Sequence, residues 1–107
     1  MVNRILKFTD DIEANETDVV LGKISPRSGQ TYEVLEIWTD QNSNVDLSLS
    51  IRERKLFDNV PSGDLPAAGD GLVFDLTVQD GDELQILASE TAGGPETPAV
   101  YVLIDES

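Results

Sequence analysis

The chain has 107 residues and a formal net charge of −14, with 21 Asp and Glu against 7 Lys and Arg; this length suits one domain, 1–107, and excludes a second independent core. It contains no Cys and no His, which excludes a disulfide framework, a thiolate metal site and a Ser–His triad. Every base lies at or before Lys55, so the net charge divides as −3 over residues 1–55 and −11 over residues 56–107.

Unbalanced charge of this size pushes a compact chain apart unless something screens it. Concentrated salt is the simplest screen, because the Debye length falls to about 3 Å at 1 M. Three Lys stand against twelve Asp and nine Glu, the balance found in proteins of extreme halophiles; an acidic domain with a basic partner has the same composition. Low hydrophobicity with high charge also marks disorder. Here the apolar residues recur in short alternating runs between turn residues, and that patterning predicts a folded domain.

In chain order, residues 5–9 and 19–24 read as strands, separated by an acidic turn around Asp10, Asp11 and Asn15. Ser25-Pro26-Arg27-Ser28-Gly29 is turn chemistry. Residues 32–39 are β-rich, with Tyr32 and Val34 in one phase and Leu35 and Ile37 in the other. The change of phase predicts a bulge near 34–36 that re-aims Trp38. Residues 45–51 alternate cleanly, with Val45, Leu47, Leu49 and Ile51 facing a core and Asp46, Ser48, Ser50 and Arg52 facing out. Residues 56–60 read as a short edge strand.

In residues 72–78, Leu72, Phe74, Leu76 and Val78 are expected inward. Asp80-Gly81-Asp82 then turns into residues 84–88, where Leu84, Ile86 and Ala88 are inward, giving an expected hairpin. Val100, Val102 and Ile104 form the last strand, with Tyr101 and Leu103 on its opposite face. Two connections, 61–71 and 91–98, are long and rich in Pro and Gly. No run has helical spacing; a short turn at 9–16 is the single marginal candidate. Seven or eight short strands with turns between them predict an all-β, antiparallel β-sandwich, jelly-roll-like, with a small closed barrel as the main competitor.

No residue set is assigned to catalysis, to a cofactor or to a metal, and the chain is not expected to be an enzyme. Asp40-Gln41-Asn42-Ser43-Asn44-Val45-Asp46 begins like a calcium loop, but Val45 stands where Gly is needed and Ile51 where a bidentate Glu belongs. Asp80, Asp82 and Glu83, with Asp58 or Asp64, are acids that turn chemistry alone explains. With 21 carboxylates, a pair at glycosidase spacing is guaranteed and therefore uninformative.

Arg52, Arg54 and Lys55 place three bases within four residues. Arg52 and Arg54, two apart on a strand, are expected to share a face. They either pair with Glu33, Glu36 or Asp46 on neighbouring strands or form a contact patch for an acidic surface on another subunit. Trp38, Tyr32 and Tyr101 are candidates for a sugar-binding platform, with ordinary core or sheet-edge packing as the alternative. Nucleic acid is not expected as a partner, because the acidic chain repels phosphate. Neither is a membrane: no apolar stretch nears the ~20 residues that span one, and residues 1–7 lack the apolar core of a secretion signal.

In composition and strand pattern the chain resembles the small β-sandwich accessory proteins of virions, such as capsid decoration, turret or tail components of haloarchaeal tailed viruses. The resemblance is one of class and carries over no functional residues. It implies a structural protein made in the host cytoplasm and carried in the virion. Its partners would be copies of itself and other virion proteins. Contacts are expected from residues 2–8, with Arg4 and Lys7, from Arg52, Arg54 and Lys55, and from the loop 61–71, with Leu65. The alternative is a soluble carbohydrate- or ligand-binding module.

Overall fold

Alternation with period two gives eight strands, because each such run can bury one face only by lying in a sheet. The structure is a computed structural model that describes residues 2–42, 44–52, 54–65 and 72–106, with residues 2 and 72–75 described by backbone alone. The strands are β1 (Val2–Thr9), β2 (Val19–Ile24), β3 (Thr31–Thr39), β4 (Val45–Ile51), β5 (Arg54–Pro61), β6 (Leu72–Gln79), β7 (Leu84–Glu90) and β8 (Ala99–Glu106). They form two four-stranded antiparallel sheets of order β1-β8-β3-β6 and β2-β7-β4-β5. The result is an all-β sandwich. Among the described residues the only helical turn is a 3-10 turn at Ser62–Asp64.

The pairing follows one rule: β1 pairs with β8, β2 with β7, β3 with β6 and β4 with β5. Two further pairings, β3 with β8 and β4 with β7, join these ribbons into sheets. The chain is thus a long antiparallel ribbon folded over on itself. Its inner faces meet in one core of Val34, Ile37, Val102 and Ile104 from the first sheet and Val45, Leu47, Leu49, Leu84 and Ile86 from the second. Full burial of such a side chain stabilises the fold by about 1.5–3 kcal/mol. An exposed ion pair contributes about 0.2–1 kcal/mol, so the core decides the fold and the charges modulate it.

The expected bulge lies in β3. Register shifts between Val34 and Glu36 on both sides: against β8 Leu35 is the extra residue, whereas against β6 the partner steps from Leu76 to Val73, so the extra residue there is on β6. Val34 and Ile37 are therefore both inward although three apart, and Trp38 is turned to the outer face opposite Tyr101. The edge strand expected at 56–60 extends to Arg54–Pro61 and carries two register irregularities.

The expected β6–β7 hairpin does not form. β6 pairs with β3 and β7 with β2 and β4, so residues 80–83 turn a corner between the two sheets. Turn chemistry at Asp80-Gly81-Asp82 is satisfied either way, since Gly81 supplies a positive φ of 91°. The inward placing of Leu72 and Phe74 lies outside the described side chains.

At the opposite corner β1 and β2 cross with almost no space between them. A Cβ on Gly22 would land on the Phe8 ring, 2.6 Å from its Cγ. Gly22 also sits at the register shift of β2. Substitution Gly22→Ala is expected to displace that ring and cost about 1–3 kcal/mol, the usual range for overpacking. Chemical denaturation of the variant checks it, and an unchanged midpoint would mean that the corner is loose.

Candidate functional site

The basic residues at the β4–β5 turn do not act as a unit. Arg52 has a left-handed φ of 51° and lies in the turn, not on the strand, so it does not share a strand face with Arg54. Its guanidinium makes a two-bond fork with Asp82, Nε to Oδ1 at 2.8 Å and Nη2 to Oδ2 at 2.5 Å. That pairing holds the Asp82 carboxyl below its ordinary pKa and raises that of Arg52. Lys55 donates to Asp58 at 2.9 Å and lies 3.9 Å from Asp18. The expected partners Glu33, Glu36 and Asp46 are not used by either residue. Arg54 is exposed without an ion pair among the described residues; Glu53 lies outside them.

The pairing of Arg52 and Lys55 also disposes of the acids that shared a turn. Asp82 is held by Arg52, Asp58 by Lys55, and Asp80 accepts the Gly29 N–H at 3.1 Å. A shallow polar hollow lined by Ser50, Arg52, Gly81, Asp82, Glu83 and Gln85 lies beside this turn. Among the described residues no three His, Cys, Asp or Glu side chains converge on a point where a metal would sit. In the 40–46 loop the oxygens serve the loop's own backbone: Asp40 accepts the Asn42 N–H and Asn42 accepts the Asn44 N–H.

The aromatic trio divides. Tyr32 is buried in the core, 8% exposed, and its hydroxyl donates to Gln30. Trp38 and Tyr101 are cross-strand neighbours on the outer face of the first sheet, stacked at 5.8 Å with their planes 10° apart. Lys7 lies 5.7 Å from the Tyr101 centroid and is its neighbour on β1. Tyr101 is thus held between a cation and an indole. Arg4, further down β1, lies 3.0 Å from Glu106 Oε1, close enough for an ion pair but not aligned as a hydrogen bond. Leu65 is 7% exposed and belongs to the core, where Gln41 donates to its carbonyl. It offers no surface for contact, and residues 66–71 of the same loop lie outside the described residues.

The group that organises most of the surface loops is one that alternation hides. Glu90, at the end of β7, is 3% exposed. Its carboxylate accepts the N–H of Asn15 at 2.9 Å, of Ala92 at 2.5 Å and of Gly93 at 2.7 Å. These bonds, that from Asn15 foremost, hold its pKa below the usual glutamate range against the opposing effect of burial. Asn15 has a φ of 62° and Asp18 a φ of 53°, and the Asp18 N–H is received by Ser89 beside Glu90. A second acid, Glu96, accepts from the Asn44 and Asn42 side chains and its backbone bridges to Ile12. Thr97 donates to Asp11, and Thr9 to the Pro98 carbonyl.

One end of the sandwich is therefore a single stitched surface made of loops 10–18, 40–44 and 91–98, with 62–65 tied in through Thr39, Ser62 and Gln41. It carries Asp10, Asp11, Glu13, Glu16, Asp18, Asp40, Asp64 and Glu96, and no Lys or Arg. At the other end Arg27 and Arg52 lie in the loops with Asp80, Asp82 and Glu83, and Lys23 and Arg54 are close by on the strands, while Lys55 reaches to 3.9 Å from Asp18 of the acidic end. Six of the eight acids at the first end come from residues 1–55, so this separation of charge is made by the fold and is not the charge step along the chain. A smaller repulsion adds to it: Glu33 and Asp105 are directly opposite on the outer face of the first sheet, and one buried Asp105 oxygen has no hydrogen-bond partner.

The chain matches no known protein-family model. Nor does any curated protein match it.

Proposed function

We propose that the chain is a structural module that packs in many copies into a symmetric assembly, as a capsid decoration, turret or tail component of a virion in a salty medium. The observation that carries this reading is the winding of the sandwich. The pairing of β1 with β8, β2 with β7, β3 with β6 and β4 with β5 supports a jelly-roll reading of this sandwich, the architecture shared by viral shells, many lectins and the cupins. Cupin metal chemistry draws on His, and the sequence has none. A lectin platform is poorly served: Tyr32 is in the core and Tyr101 is flanked by Lys7 and Trp38. A scaffold that tolerates dense carboxylates and ties its loops into a fixed surface suits a building block.

The step from fold to role is one of analogy. Its test is direct. Size-exclusion chromatography with light scattering in molar salt is expected to give a defined oligomer that dissociates as salt is removed. A monomer at every salt and protein concentration would overturn the proposal. Binding to a glycan array that is lost on Trp38→Ala, with a monomeric protein, would establish the carbohydrate module instead.

A further inference from the structure

We infer that β1 is the docking edge for a second copy of this chain. The two β1 strands pair antiparallel about a two-fold axis at Ile5, so that the first sheet runs on through eight strands. The inference rests on the assembly reading and supplies the surface that it uses.

Each sandwich has four sheet edges: β1 and β6 in one sheet, β2 and β5 in the other. Edge strands are templates for pairing, and bulges, Pro, local twist and charged side chains, Lys above all, are what normally blunt them; on β1 the charges are Arg4, beside Glu106, and Lys7, drawn over the Tyr101 ring. β2 shifts register between Val20 and Gly22. β5 shifts twice, holds Asn59 at a φ of 51°, and ends in Pro61. β6 lies against the bulged stretch of β3. β1 alone is regular: it pairs with β8 over all eight residues without a shift and contains neither Gly nor Pro. On this regular edge Ile5 is 58% exposed, more than any other exposed large hydrophobic residue among those described.

Charge selects the occupant. Val2–Thr9 holds Arg4 and Lys7 and no carboxylate, so two chains of net charge −14 meet least repulsion when they meet here. Residues directly opposite in an antiparallel pair point to the same face. Centring the pair on Ile5 therefore sets Ile5 against Ile5 of the second copy, Lys7 against Asn3, and Arg4 against Leu6. No base faces a base, which would cost stability. The contact is isologous and closes as a dimer. Salt strengthens it by screening the remaining carboxylates.

The absence of Cys makes the test clean. In Ile5→Cys the two introduced thiols would lie on Cα atoms about 4.5–5.5 Å apart, within the window that a disulfide requires. Mild oxidation in molar salt is expected to give ~tenfold more covalent dimer for Ile5→Cys than for Val20→Cys or Leu56→Cys. These controls lie on β2 and β5 at 38% and 37% exposure. Mixing Asn3→Cys with Lys7→Cys is expected to cross-link better than either variant alone. Circular dichroism of each variant confirms that the exposed substitution leaves the β signal intact. Equal cross-linking at all three edges, or none at Ile5 while light scattering reports an oligomer, overturns the β1 pairing and leaves the assembly reading standing. A monomer under all conditions overturns both.

Discussion

Raising the salt from about 10 mM to 1 M is expected to raise the thermal midpoint by ~20 °C or more. The molecule measures 42 × 28 × 19 Å. At 10 mM the Debye length is about 30 Å, so every carboxylate feels nearly every other; at 1 M only neighbours interact. Spreading a charge of −14 over a sphere matching the radius of gyration of 13.5 Å, and over the expanded unfolded chain, gives a repulsive cost of folding. That cost falls by roughly 6 kcal/mol between the two salt concentrations. Small domains are stable by only about 5–15 kcal/mol, so this term is of the same size as the whole stability. Circular dichroism melts across a salt series check it. A midpoint that does not move would mean that the carboxylates are neutralised within the fold, and would remove the inference of a salty habitat.

The second large effect belongs to Glu90. In Glu90→Ala the amides of Asn15, Ala92 and Gly93 lose their common acceptor, and the midpoint in molar salt is expected to fall by ~10 °C, with Glu90→Gln in between because one oxygen remains. Hydrogen exchange is expected to quicken at residues 13–18 and 91–94 before it changes in the core strands. The pH dependence has a fixed sign. The folded-state pKa of Glu90 is lowered, so its contribution is complete above the ordinary value of about 4.3 and is lost as the pH falls below it toward the native value. Wild type is therefore expected to lose loop protection in that acid window. In Glu90→Gln the difference between pH 6 and pH 4 at Asn15 and Gly93 disappears. Equal acid sensitivity in both would assign the effect to other carboxylates.

What could be read from the chain and what could not has a physical boundary. Residues 45–51 were legible to the residue, because period two over an apolar face leaves one register; the bounds 19–24 were met as well, although the register shift between Val20 and Gly22 sets the buried Leu21 and Ile24 three apart. The phase change at Leu35 located the bulge for the same reason. The corner at residues 80–83 was not legible. A tight Gly-containing turn after an alternating strand suits both a hairpin and a crossing between sheets, and only the long-range partners β3 and β4 decide between them.

Arg52 continues the alternation of β4 as a letter pattern, yet its backbone leaves the strand. Leu65, an apolar residue in a loop of Pro and Gly, was expected on the surface and is drawn into the core instead. Glu90 gave the weakest signal. An acid at a strand end looks solvated, and only the following Thr-Ala-Gly-Gly, a turn with several unpaired N–H groups, hints at an acceptor.

The folded-over ribbon also governs how the molecule comes into being. Among the described residues β1 has no sheet partner except β8, and Thr9 bonds to the Pro98 carbonyl 89 positions away. A growing chain therefore leaves the ribosome with its first strand unseated until its last strand emerges. Sheets closed by such distant pairings belong to the slow end of two-state kinetics, milliseconds to seconds rather than microseconds. During that interval the backbone donors and acceptors of β1 lack the partner that β8 supplies, and raising the chain concentration during refolding gives another copy time to reach β1 before β8 does.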